Sequence, residues 1–300
     1  MRALYEVPAP AKLNLFLHVV GKRPDGYHLL QSIFALIDWA DTLHFERRDD
    51  GALHRHDSGD ALPPDDLCLR AARALQSQSG CGLGADIHIE KRLPAGAGMG
   101  GGSSDAASTL LALNRLWGLN WPLSKLLPLG LSLGADVPFF LGGTHAFVEG
   151  IGDVLHPISL PEQCFAVVKP QQSIATKDIF SSPHLARSNS VAIVAGFPAH
   201  NGSELSGETQ QGFDPGFGRN DLQPAAEALS PEVGQALQIL QSKFGNSRMT
   251  GSGSTVFARV DGKEGANCQS MTFAEGLPSG WVARMCRSLE VHPLRGWADN

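Results

Sequence analysis

Basic residues are the minority charge in this chain: 24 Lys and Arg stand against 30 Asp and Glu, a formal net charge of −6 over 300 residues. A protein that grips nucleic acid or an anionic membrane along its surface needs the opposite balance, so neither partner is expected. A small anionic ligand stays open, because its site is local. Long apolar runs are lacking as well. The most apolar region, Leu123 to Leu141, is broken by Lys125, Pro128, Asp136 and Pro138, which argues against a transmembrane helix. The N-terminal "MRALYEVPAPAK" has no apolar core of signal-peptide length. Cysteine is sparse, five residues without a C-x-x-C pair, so free thiols in a reducing cytoplasm are the plain reading. The histidines show no H-x-x-x-H spacing, and "HRHD" at His54–Asp57 reads as a solvated loop; no metal-ligand cluster is expected.

What is present is the texture of a soluble globular protein, 42% hydrophobic and 18% charged. "KLNLFLHVVG" alternates, with Leu13, Leu15, Leu17 and Val19 on one face and Lys12, Asn14, Phe16 and His18 on the other; that is a strand signal. "DTLHFER" and "ADIHIEKR" alternate in the same way. "DDLCLRAARALQSQ" and "SSDAASTLLALNRLWG" carry helical periodicity, and Gly118 stops the second helix. Asp65 and Asp66 read as a helix-start pair. After residue 160 the texture changes. "CFAVVKP" and "STVFARV" read as strands, and "PAAEALSPEVGQALQILQSKFG" as one or two helices. Between them, Ala186 to Arg219 is rich in Gly, Ser and Asn and reads as a mobile surface loop. The expected architecture is α+β: two domains, 1–160 and 161–300, meeting at a cleft.

The stretch "RLPAGAGMGGGSSDAA" carries the chemistry. Five glycines occupy the seven positions from Gly96 to Gly102, between a strand and a helix. Known glycine patterns fail here. Gly96, Gly98 and Gly101 match G-x-G-x-x-G, but no Asp or Glu lies between Ala106 and Ala135 to hold a ribose. The Walker pattern needs Gly-Lys-Ser/Thr, whereas Gly102 is followed by Ser103. The H-R-D and D-F-G segments of protein kinases are absent. The physics of the loop remains. Backbone without Cβ atoms exposes successive N–H groups that converge on phosphate oxygens. A helix beginning near Ser103 adds a positive end, and Ser103 and Ser104 can cap it or contact phosphate or a metal ion.

The same stretch resembles the central phosphate-loop motif of the GHMP kinases. "PAPAKLNLFLHVVGKRPDGYH" resembles the first motif of that family and "MTGSGSTVF", Met249 to Phe257, the third; "GADVPFF" and "NDL" at Asn220–Leu222 fit it too. The resemblance runs from about Pro8 to Phe257 and is weak in the last forty or so residues. It implies the two-domain GHMP kinase fold, with an N-terminal half like ribosomal protein S5 domain 2, a ferredoxin-like C-terminal half and the active site in the cleft between them. It implies phosphoryl transfer from ATP, with Mg²⁺, to a hydroxyl of a small-molecule alcohol, for which "RPDGYH" points to a cytidine diphosphate sugar alcohol of the non-mevalonate isoprenoid route. A sibling kinase acting on another alcohol such as homoserine, and a non-catalytic nucleotide-binding regulator on the same fold, are the alternatives. The localisation implied is cytoplasmic, as a monomer or weak homodimer.

Site residues follow from the two readings together. Asp136 is the lone acid of a long apolar segment, and a carboxylate there needs a partner. Lys12 is the natural one, and by resemblance Asp136 is the general base and Lys12 its companion. Pro94, Ala95, Gly96, Ala97, Gly98, Met99, Gly100, Gly101, Gly102, Ser103 and Ser104 are the expected nucleotide cradle. Tyr27 and His28, directly after a Pro-Asp-Gly turn, suit a flat pyrimidine, and Phe180 resembles the family's second stacking face. Asn14 shares a strand face with Lys12. Thr176 completes the expected substrate contacts.

Overall fold

The structure is a computed structural model, and the residues it describes are 1–58, 62–186, 218–260, 268 and 273–298. All but the ends of the loop expected at Ala186–Arg219 lies outside them.

The chain begins with a long antiparallel hairpin, β1 (Ala3–Lys22) against β2 (His28–Arg48). The "RPDGY" turn closes it: Gly26 sits at φ +93° and the Tyr27 amide donates to Asp25 Oδ1 at 3.2 Å. β2 is the spine of the first sheet. It pairs antiparallel with β4 (Gly84–Glu90) through Thr42–Arg48 and with β5 (Ala146–Glu149) through Ser32–Phe34. β3 (Leu53–Ser58) runs parallel to β4, and β6 (Val154–Pro157) borders β5. Four helices pack on this sheet: α1 (Leu67–Ser79), α2 (Gly101–Leu116), α3 (Leu123–Leu133) and α4 (Val137–Gly142). Their apolar sides share one core, with Phe45, Leu75, Ile87, Leu110, Leu113 and Phe139 buried in it.

The second sheet has the order β10 (Val282–Arg287), β7 (Cys164–Lys169), β9 (Val256–Val260) and β8 (Arg248–Met249). Helices α5 (Thr176–Phe180), α6 (Gln223–Leu229) and α7 (Pro231–Phe244) accompany it around a second core. This is the two-domain α+β fold expected. A third cluster, including Leu13, Phe16, Ile33, Trp39, Phe165 and Phe257, fuses the middle of the hairpin to the second sheet. The two halves are therefore joined by packed side chains as well as by the chain.

Three expectations need correction. The alternation assumed through Val19 breaks at a register shift between Asn14 and Leu17. This β-bulge turns Phe16 into the cluster between the sheets and sends Leu17 and Val19 to the second core. "HRHD" is not a loop but part of edge strand β3, and Arg55 on it clamps Asp57 and Asp66. Cys164 and Cys268 form a disulfide across 104 residues of sequence, leaving Cys68, Cys81 and Cys286 as free thiols. No spacing rule pairs cysteines so distant, because the fold alone brings them together.

Candidate active site

The strand face set by the pattern of β1 is the floor of the cleft. Lys12 and Asn14 point into it, while Ala11, Leu13 and Leu15 point the other way into the cluster between the sheets. The Lys12 ammonium is 3.4 Å from Asp136 Oδ2, donates to Asn14 Oδ1 at 2.6 Å and lies 3.9 Å above the Phe34 ring. Lys12 is almost wholly buried, with 4% of its surface exposed. Burial pushes the pKa of its ammonium below the usual lysine range, and the opposing charge of Asp136 restores part of the loss. Asn14 is itself held: its Nδ2 donates to Ser32 Oγ at 2.8 Å and its amide to Thr250 Oγ1 at 2.8 Å. Asp136 stands at the N-cap of the six-residue α4 without capping it. Its side chain keeps 30% exposure, so the carboxylate is fixed from behind by Lys12 and open in front.

The glycine loop forms the adjoining wall. Gly96, Gly98 and Gly100 line the cleft, while Ala97 and Met99 between them are buried in the cluster between the sheets. The Met99 carbonyl accepts the Lys12 amide at 3.0 Å, which ties the loop to β1. Gly98 is required by space as well as by its φ of +70°. A Cβ there would stand 2.6 Å from the Thr250 carbonyl oxygen. Gly251 meets Gly98 from the opposite side, its own Cβ position 2.5 Å from Gly98 O. The second and third glycine motifs thus interlock backbone to backbone. The helix starts at Gly101, earlier than expected, with Gly100 as N-cap at φ +73°. The amides of Gly101, Gly102 and Ser103 open the first turn, where a helix supplies no acceptor. Ser104 is fully buried and donates its hydroxyl to Pro10 O at 2.7 Å, so this side chain is a strut between α2 and β1. At the start of the loop, Pro94 is half-buried and the carbonyl of exposed Ala95 accepts from Ser173 Oγ at 3.3 Å.

Opposite the loop are the residues expected to hold the substrate. The rings of His28 and Phe180 stack with centroids 4.9 Å apart at 18°. Phe180 and Thr176 line the cleft, and the Thr176 hydroxyl lies 2.8 Å from that of Ser252. Tyr27 is not gathered in. It stands at the hairpin turn, 61% exposed. The cleft as a whole thus collects Lys12, Asn14, the loop glycines, Asp136, Thr176 and Phe180 around about 270 Å³. That is at the small end for a ligand site, so it suits the reacting ends of two substrates whose remainders extend outward.

Two further groups support the site. Asn220 Nδ2 donates to Met249 O at 2.7 Å and to Gly251 O at 2.8 Å, and its Oδ1 accepts the Leu222 amide at 2.9 Å. It therefore pins the third motif against the second. The "NDL" match was the only signal for it. Beneath the glycine loop, Lys91 bridges Asp41 and Asp105, at 2.7 Å from Asp105 Oδ2. Asp41 Oδ1 also accepts the amides of Arg92 and Leu93 at 2.6 and 2.7 Å, which fixes the strand-to-loop corner. Burial raises the Asp105 carboxyl to about 7, with Lys91 opposing the rise and Asp41 adding to it. Three groups so far apart in sequence show no common period, so the cluster could not be read beforehand.

A Mg²⁺ ion carried by a nucleotide needs few protein ligands, because it keeps waters and phosphate oxygens. Among the described residues no cluster of three or more His, Cys, Asp or Glu could hold a metal alone. Asp105 is engaged with Lys91 and the Ser104 hydroxyl with Pro10. Asp136 in the cleft and Ser103 at the helix start are two oxygens within the expected site, and so sparse a set fits an ion that arrives with phosphates.

Comparison with known proteins agrees with this geometry. The family profile of the GHMP kinases N terminal domain matches residues 66–144, and that of the GHMP kinases C terminal domain matches residues 207–271. A 4-diphosphocytidyl-2-C-methyl-D-erythritol kinase of Methylibium petroleiphilum is 61% identical over 298 residues, covering 99% of each chain. One of Variovorax paradoxus is 55% identical, covering 99% of this chain and 100% of its own. A crystal structure of 4-(cytidine 5'-diphospho)-2C-methyl-D-erythritol kinase superposes with a TM-score of 0.76 at 33% identity, over 94% of this chain and 98% of that one. The homoserine kinase of Cytophaga hutchinsonii shares the fold at 19% identity, with a TM-score of 0.63.

Proposed function

The chain belongs to the GHMP kinases, within the 4-diphosphocytidyl-2-C-methyl-D-erythritol kinase family, and from that premise we propose how its cleft transfers the γ-phosphoryl group of ATP to the 2-hydroxyl of 4-diphosphocytidyl-2-C-methyl-D-erythritol. The observation that carries the reading is the Lys12–Asp136 pair, 3.4 Å apart, set beside a wall of Gly96, Gly98 and Gly100. Asp136 accepts the proton of the substrate hydroxyl as its oxygen attacks the γ-phosphorus. The bond from that phosphorus to the β,γ-bridging oxygen breaks, and ADP leaves. Lys12 holds Asp136 in place. Its charge also offsets that spread over the transferring group.

The amides from Gly96 to Ser103 cradle the triphosphate, the start of α2 adding its positive end. Pro94, Ala95, Ala97, Met99 and Ser104 shape the cradle through their backbone and packing. Mg²⁺, when bound with the nucleotide, would draw on Ser103 and Asp136 and supply positive charge to the β- and γ-phosphates. Asn14 orients Lys12. His28 and Phe180 recognise the cytosine ring: the stack opens to admit it, with Tyr27 closing from the rim and Thr176 contacting the substrate beside them. The stack also favours this acceptor over homoserine, which has no ring to hold.

Residues 1–160 serve as the ATP-binding domain and 161–300 as the second domain, a division supported by the two separate sheets, while Leu17 and Val19 pack into the second core and Leu294 into the first. Among the described residues no helix is long and apolar enough to cross a membrane. A cytoplasmic location is proposed, on the ground that ATP is the donor; a monomer or weak homodimer remains the proposed oligomeric state. The Cys164–Cys268 bond stands against that compartment. Thiol counting after alkylation at lysis decides between them: five blocked cysteines support the cytoplasm and three contradict it. The activity itself is tested by ADP release from purified protein with Mg²⁺, ATP and a panel of alcohols. Release with the cytidine diphosphate sugar alcohol alone supports the reading; release with homoserine instead, or binding without turnover, overturns it.

A further inference from the structure

A void larger than the cleft lies near the catalytic machinery. A cavity of about 760 Å³, nearly three times the 270 Å³ of the cleft, lies behind α4. Leu111 of α2, Leu127 of α3, Phe139 and Leu141 of α4 and Leu155 of β6 form its apolar walls. Its remaining side is a strap, residues 288–298, that leaves the second sheet and crosses back over the first domain. The strap is anchored by Leu289 N to Leu36 O at 2.9 Å and His292 N to Gly143 O at 2.9 Å. Its end is covered by the Arg115 guanidinium, 4.7 Å from the Trp297 ring centroid.

Two polar groups on the strap say what this apolar space would take. Among the described lining residues there is no carboxylate, whereas Arg295 contributes a cation. His292 also lines the cavity and is 1% exposed. Its Nδ1 accepts the Leu294 amide at 3.0 Å, which places the ring proton on Nε2. That N–H is buried and has no hydrogen-bond partner among the described residues, an arrangement that a protein rarely leaves unanswered. Hydrocarbon walls, one cation and one waiting donor suit a ligand with an apolar body and an anionic, hydrogen-bond-accepting head. α4 links this space to the chemistry. Phe139 and Leu141 face the cavity, Gly143 at its C-cap is held by the strap, and Asp136 is its N-cap.

We propose that this cavity is a second ligand site, for a molecule with a hydrocarbon chain and a phosphate head, and that its occupancy alters turnover by shifting α4 and with it Asp136. The binding stands independently of the kinase reading; the effect on turnover rests on it.

Titration calorimetry of the full chain with decyl phosphate, below its micelle concentration, tests the binding. Decyl phosphate is expected to bind with ATP present or absent, and decanol and inorganic phosphate each at least about tenfold more weakly. Arg295→Glu, at an exposed position, should weaken binding by about tenfold or more, and Leu127→Trp, which fills the space, should abolish it. At saturating substrates, decyl phosphate should change kcat while leaving the KM for ATP in place. Displacement of decyl phosphate by ATP, equal binding of inorganic phosphate, or unchanged binding to Leu127→Trp overturns the site. Binding with no change in kcat overturns the link through α4. A chain that binds decyl phosphate but phosphorylates none of the alcohols above overturns the kinase reading and leaves the site standing.

Discussion

Lys12 and Asp136 meet across 3.4 Å with unequal exposure, the lysine side chain at 5% and the aspartate at 30%. The lysine is committed to the protein, the carboxylate to whatever enters the cleft. Because Lys12 is packed against the Phe34 ring at 3.9 Å, a guanidinium would not fit its place. Lys12→Met is expected to lower kcat by about two orders of magnitude or more, and Lys12→Arg to restore little of it. Steady-state kinetics at saturating ATP checks this; full recovery with arginine would contradict the close fit.

Gly98 carries both a positive φ and a backbone neighbour. Gly98→Ala places a Cβ 2.6 Å from Thr250 O, where no side chain can move aside. The interlock with the third motif must open, so the KM for ATP is expected to rise more than about tenfold and stability to fall by about 1–3 kcal/mol. Kinetics and urea unfolding of the same variant measure the two effects.

The stacked pair at the other end of the cleft makes a separable prediction. Phe180→Ala and His28→Ala should each weaken binding of cytidine diphosphate by about 1–3 kcal/mol, the usual worth of a base–aromatic stack. Affinity for ATP should not change. Calorimetry with the two nucleotides separates these outcomes, and a parallel loss of both would move the pyrimidine site elsewhere.

Asp105 gives a pH prediction. Its folded-state pKa is raised to about 7 from an ordinary 3.8, chiefly by burial. Below the ordinary value both folded and unfolded chains hold the proton. Between the two values the unfolded chain releases it first, so the stability contribution is lost as pH rises towards 7. Asp105→Asn cannot titrate. Its stability relative to the parent should therefore increase between pH 4.5 and pH 7.5, as followed by urea unfolding. A constant difference across that range would mean that Asp105 is ionised throughout.

Much of this arrangement was legible in the residues. The period of "KLNLFLHVVG" placed Lys12 and Asn14 together on one face, and the glycine run announced a phosphate cradle before a helix. Local signals reached that far because strand alternation and positive-φ glycines are local properties. Non-local determinants leave no such mark on neighbouring residues. The bulge after Asn14 reversed Phe16, the Cys164–Cys268 bond spans 104 residues, and Asp41, Lys91 and Asp105 meet only once β2, β4 and α2 are packed. Ser104 illustrates the same limit at the site: its neighbours in sequence suggest a ligand, and its partner in space is Pro10.

The most direct test of the account is Asp136→Asn, which keeps the shape of the side chain and removes its ability to accept a proton. Single-turnover phosphoryl transfer from ATP to the cytidine diphosphate sugar alcohol should slow by about 10²–10⁴, with ATP affinity unchanged. A transfer rate close to that of the parent chain would show that the hydroxyl loses its proton elsewhere, and the role given to Asp136 would have to be abandoned.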